Sequence, residues 1–195
     1  MKCFIDIKTT ESIKNPGLIT IGIVTEDNRT FEAEFNDYDI NSITDYVKEN
    51  IIKYLSIPKT DKFKGERDYH WLTQHHSNKS DNIYEGYSVK LRGNTNEIKD
   101  SLIQWFNQFD KIELCFYDKT NLSLLLIDIL EKDISIINKI SKTVIIVDLY
   151  LTKSKSFENK IVSIKDIVEL FFVKKNNVME QARRVKDCYN FLCNN

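Results

Sequence analysis

No run of apolar residues in this chain is long enough to cross a bilayer. The most apolar stretches, around Leu122–Leu126 and Val144–Val147, fall far short of the about 20 residues a spanning helix needs. The opening MKCFIDIK has neither the apolar core nor the small-residue cleavage site of a secretory signal, so a cytoplasmic protein is expected. Charge of one sign is also missing. The formal net charge is -1, which excludes a strongly basic nucleic-acid coat and leaves room only for a local basic patch. Cys3, Cys115, Cys188 and Cys193 form no C-x-x-C pair; Cys3 and Cys115 fall inside predicted strands, where cysteine acts as a small hydrophobe. Free thiols in a reducing compartment are therefore expected rather than a disulfide framework. There is no Gly-rich phosphate loop, no G-x-S-x-G and no Cys/His pair at catalytic spacing. Internal repeats and interdomain linkers are absent too, so residues 1–195 read as a single domain large enough for a proper core.

What is present begins with strands. Lys2–Ile7, Leu18–Thr25 and Thr30–Phe35 have strand character. The second and third are joined by the polar loop Glu26-Asp27-Asn28-Arg29, and Pro16-Gly17 marks a turn before the second. Ser42–Leu55 carries a helical stripe of Ile43, Tyr46, Val47, Ile51, Tyr54 and Leu55 that Pro58 ends. Residues 59–94 lose periodicity and read as a long irregular insertion. Thr95–Phe109 is a second helix with half a capping box at Thr95-x-x-Ile98; Ile98, Leu102, Trp105, Phe106 and Phe109 form its apolar face. Ile112–Tyr117 is a fourth strand with Asp118 at its end, Leu122–Leu130 a helix, and Val144–Leu149 a fifth strand buried on both faces. Ser163–Phe172 and about Asn177–Leu192 complete the helices, the last opened by Asn177-x-x-Glu180. Three meander strands followed by alternating helices and strands indicate an α/β fold, a mixed sheet with helices on its faces.

Strand alternation puts Asp6 and Lys8 on one face of the first strand, opposite Cys3, Ile5 and Ile7. A central strand with Asp-x-Glu is one way to place two divalent ions for phosphodiester cleavage. Here Asp6-Ile7-Lys8 offers the first acid and then an ammonium. Elsewhere, Lys62, Lys64, Arg67, Trp71, Tyr84, Tyr87, Lys90 and Arg92 interleave basic and aromatic residues in a way that suits stacking on unpaired bases with phosphate neutralisation; packing of the aromatics on the domain itself or on a dimer partner is the alternative. His70, His75 and His76 lack the framing ligands of a metal site and read as a solvated loop. Lys174, Lys175, Arg183 and Arg184 read as a solvated helix face, and Asp148 as a strand-end acid.

The segments FIDIKTTESIKNPGLITIGIVTEDNRTFEAEFNDYD, FYDKTNLSLLLIDIL and NNVMEQARRVKDCYNFL, in that order, resemble the blocks of DEDD-type 3′–5′ exonucleases, in particular small exoribonuclease-like domains of bacteria and phages. The resemblance implies a ribonuclease H-like fold with a five-stranded sheet in the order 3-2-1-4-5, the first three strands antiparallel and the rest parallel. It also implies an active site of four carboxylates holding Mg²⁺ or Mn²⁺ and a histidine acting as general base. Position by position, Asp6 and Asp118 match family acids. Lys8 stands where the family has Glu, Asn176 where it has His, and Gln181 where it has the last Asp; Glu180 is a neighbouring substitute, and Glu11 and Glu34 are further acids within reach. The exchanges make the site about three charges more positive, which opposes binding of hard divalent cations by anionic oxygen. No cofactor is expected, unless Mg or Mn is held by Asp6 and Asp118 in a rebuilt site. The expected function is a catalytically impaired or inactive exonuclease relative that binds nucleic acid, a nucleotide or a protein partner, a second copy of the chain included, through the inherited cleft or the insertion. The competing expectation is an active metal-dependent 3′–5′ exonuclease with rearranged acids.

Overall fold

A computed structural model describes residues 1–10, 17–55, 88–117, 122–130, 133–154 and 177–194. Strands β1 (Lys2–Thr9), β2 (Leu18–Thr25) and β3 (Thr30–Phe35) form the antiparallel meander, and β1 is in the middle of the sheet. The β2–β3 hairpin closes with Asn28 in the left-handed region (φ 69), a conformation asparagine tolerates well. Thr10 holds the start of β2: its amide donates to the Gly17 carbonyl (2.9 Å) and its hydroxyl accepts from the Gly17 amide (3.0 Å).

The stripe after β3 folds as a short α1 (Asp45–Asn50) flanked by single 3₁₀ turns at Ile40–Ser42 and Ile52–Tyr54. Ile43, Val47 and Ile51 are buried against Ile19, whereas Tyr46 points outward at 54% exposure. Thr44 caps α1, accepting from the Val47 amide.

The run read as irregular over 59–94 ends in a regular strand, β4 (Ser88–Gly93), which adds a sixth strand alongside β3 and parallel to it. Its alternation is visible in SVKLRG: Leu91 and Gly93 are buried, while Ser88, Lys90 and Arg92 take the other face. Asn94 then caps α2 (Thr95–Phe106) in a full capping box with Glu97, one residue ahead of the expected Thr95.

β5 (Ile112–Phe116) pairs with β1 in parallel, as expected, and α3 (Leu122–Leu130) follows. The next strand differs from the expectation. A short α4 (Ile134–Lys139) leads into β6 (Ile140–Ile145), and the VIIVDLY run crosses from strand into helix α5 (Ile146–Ser154). A continuous apolar run does not by itself separate a buried strand from a buried helix. β6 is an edge strand with Ser141, Lys142 and Thr143 exposed, so its polar half carried no strand pattern. Asp148 consequently lies in the first turn of α5 and not at a strand end. The last helix is α6 (Val178–Asn194).

The sheet order is β4-β3-β2-β1-β5-β6: the expected 3-2-1-4-5 arrangement with one more strand at the β3 edge. Helices cover both faces. Ile5, Ile7, Ile21, Ile23, Phe31, Ala33 and Phe35 pack against α2, α3 and α4 around Trp105. On the other face Phe4, Cys115 and Val144 pack against Ile146 of α5 and Val185, Cys188 and Leu192 of α6. Among the described residues no helix is long and apolar enough to cross a membrane.

Candidate functional site

β1 presents Phe4, Asp6 and Lys8 to the α6 face, and the register carries that face across four strands. Asp6, Gly22, Glu32 and Lys90 form one cross-strand row; Lys8, Thr20, Glu34 and Arg92 form the next. Three carboxylates therefore share a surface with three cations. The Lys8 ammonium is 2.8 Å from the Asp6 carboxylate, with both side chains largely buried. Lys90 pairs with Glu32 across β3 and β4 at 3.3 Å. Glu34 is 1% exposed and has Arg92 opposite it in register. Both charges reach the Tyr38 phenol, whose pKa is raised mainly by burial and further by Glu34, with Arg92 opposing.

The C-terminal helix closes this face from above. Asn177 caps α6, its side-chain oxygen accepting from the amides of Met179 (2.9 Å) and Glu180 (3.1 Å), as the Asn177-x-x-Glu180 spacing predicts. The first turn rests on β2: Val178, Met179 and Ala182 bury Val24, and the backbone of Val178 lies directly over Gly22, the register partner of Asp6. Further along α6, the Lys186 ammonium donates to the Thr25 carbonyl (2.9 Å), the Glu26 carbonyl (2.8 Å) and Asn28 Oδ1 (2.7 Å), tying the helix to the β2–β3 hairpin. Burial lowers the pKa of this ammonium, against the opposing pull of Asp187, Asp27 and Glu26.

Of the residues singled out in the sequence, the structure brings Asp6 and Lys8 into direct contact. Glu180 and Gln181 are in the first turn of α6, the turn seated on Gly22; the Glu180 carboxylate is 3.9 Å from the Arg184 guanidinium. Lys90 and Arg92 belong to β4 and so to the charged rows, not to an irregular arm. Asp118, Asn176, Lys62, Lys64, Arg67, Trp71, Tyr84, Tyr87 and the three histidines lie outside the described residues, as does Glu11.

Among the described residues, those on this face do not fit a divalent cation. Asp6, the acid on which such an ion would rest, already has an ammonium 2.8 Å away, and a second positive charge beside it raises the cost of binding a metal. Among the described residues no group of three or more His, Cys, Asp or Glu side chains converges to hold one. Glu34, the fully buried acid of this face, has Arg92 opposite it in register.

Two structural residues escaped sequence reading. Gly22 did leave a trace, since a glycine inside the apolar strand LITIGIVT marks a close backbone approach. Lys186 left none, because its acceptors, two main-chain carbonyls and the Asn28 side-chain oxygen, are roughly 160 residues away in sequence. The thiols follow the reading made of them. Cys3, Cys115 and Cys188 are buried free cysteines and Cys193 is exposed; burial pushes the Cys115 and Cys188 thiols up to about 12. No protein-family model matches the chain, and no curated protein matches it.

Proposed function

We propose that this chain is a non-catalytic relative of the DEDD-type 3′–5′ exonucleases, built on their ribonuclease H-like fold, and that it holds a nucleic-acid strand or nucleotide without cutting it. The observation that carries the reading is the 2.8 Å ion pair between Lys8 and Asp6 on the central strand. An acid of that strand is the residue on which the metal chemistry of such enzymes depends. With an ammonium bound to it, the carboxylate is neutralised without a metal, and an ammonium cannot generate a metal-bound hydroxide. The six-stranded mixed sheet, antiparallel through β1, β2 and β3 and parallel elsewhere, is consistent with the ribonuclease H-like fold. The binding half of the reading draws on the Lys90 and Arg92 side of the same face and on the basic-aromatic composition of 62–87.

Fluorescence polarisation with a 3′-labelled single-stranded oligonucleotide tests it. In EDTA the full chain should bind, with affinity falling steeply as salt rises, because phosphate contacts release counterions. Adding Mn²⁺ should leave the affinity unchanged. Absence of binding at micromolar protein would overturn the ligand, and binding that requires Mn²⁺ would instead point to a rebuilt metal site in an active exonuclease.

A further inference from the structure

Among the described glycines with close neighbours, Gly22 alone would bring a Cβ up against backbone. The added carbon would be 2.9 Å from both the carbonyl carbon and oxygen of Val178 and 3.1 Å from the Met179 nitrogen. Real Cβ contacts essentially never fall below 3.0 Å, and the atoms it would meet belong to a capped first turn, not to a flexible side-chain tip. At the far end of the same seat, all three donors of the Lys186 ammonium are taken by oxygens of the β2–β3 hairpin. Between the two contacts lies the buried cluster of Val24, Val178, Met179 and Ala182.

Val178 and Lys186 are separated along α6 by about 12 Å of helix axis. A single contact would let the helix pivot or slide on the sheet. One contact at each end of that span fixes depth, tilt and translation together. The first sets the depth next to Asp6, since Gly22 is its register partner, and the second fixes axial position through bonds that depend on direction.

We infer that Gly22 and Lys186 are positioning residues of the candidate site, which together fix how deeply and at what register the first turn of α6 stands on β2 beside Asp6. The importance of that geometry for ligand binding rests on the function proposed above; the positioning itself does not.

The experiment compares backbone amide spectra of the full chain with those of Lys186→Met, Lys186→Arg and Gly22→Ala. Each disruptive variant should move the other's contact. Lys186→Met should shift the amides of Val178–Gln181 and of Ile7–Thr9, and Gly22→Ala should shift those of Thr25–Arg29 and Lys186, while α2, on the opposite face of the sheet, keeps its positions. Lys186→Arg retains a cation with several donors and should restore most of the wild-type pattern. Oligonucleotide affinity should fall about tenfold in Lys186→Met and recover in Lys186→Arg. If Gly22→Ala does not fold, the two Lys186 variants decide alone. Shifts confined to the immediate neighbours of each substitution in folded protein would overturn the inference, as would equal shifts everywhere, which would mean a general loss of stability. Should the wild-type chain bind no oligonucleotide, the functional reading fails while the amide shifts still decide the positioning.

Discussion

Lys8 and Asp6 face the same way because they are two residues apart on a strand, and each is mostly shielded from water, so the pair is formed in a setting where a lone charge is costly. The ammonium therefore stabilises the fold at the point where an acidic site would strain it. Exchanging it for an acid should reveal that strain. Lys8→Glu sets two carboxylates side by side and should lower stability in EDTA by about 1–3 kcal/mol. For a chain of this length that is several degrees of melting temperature. Mn²⁺ should then recover part of the loss in the variant by binding the folded state alone. An unchanged melting temperature in EDTA would mean that Lys8 does not neutralise Asp6 in solution.

At the scale of elements, the core stripes and the Asn177 cap of α6 were legible, and the edge strands and the cap of α2 were not. β1, β2, β3, β5, α2, α3 and α6 follow from apolar runs or helical spacing, because they are the central strands and the helices whose apolar stripes face them. β4 and β6 are the two sheet edges, and edges carry charge and polar side chains that blur the pattern: Lys90 and Arg92 in one, Ser141, Lys142 and Thr143 in the other. The start of α2 was displaced by one residue because Thr95 is also a capping type, although Asn94-x-x-Glu97 is the complete box. This assignment makes a simple claim on energy. Asn94→Ala should cost about 1 kcal/mol in denaturant melts and Thr95→Ala less, because the side chain that satisfies the helix amide belongs to Asn94. The reverse order would return the cap to Thr95, whose amide and hydroxyl the Asp37 carboxylate already holds.

For the molecule as a whole, a net charge of -1 hides an ordered arrangement: carboxylates and cations gathered on one sheet face, with two of the acids held in ion pairs. The Asp6 and Lys8 half of that arrangement was readable, because it lies within three consecutive residues of one strand. The Glu32–Lys90 and Glu34–Arg92 halves were not, since they exist only through the parallel pairing of β3 with β4, more than fifty residues apart. Gly22 and Lys186 likewise acquire their meaning from the docking of a distant helix. In the function proposed above, the ammonium on β1 stands in place of metal chemistry, and a 3′-end assay checks this most directly. A 5′-labelled single-stranded RNA or DNA is incubated with the full chain and Mg²⁺ or Mn²⁺, beside Asp6→Ala, and its length is followed on a denaturing gel. Full-length substrate throughout, with no difference between the two proteins, is the expected result; progressive, metal-dependent shortening from the 3′ end that disappears in Asp6→Ala would overturn the proposal.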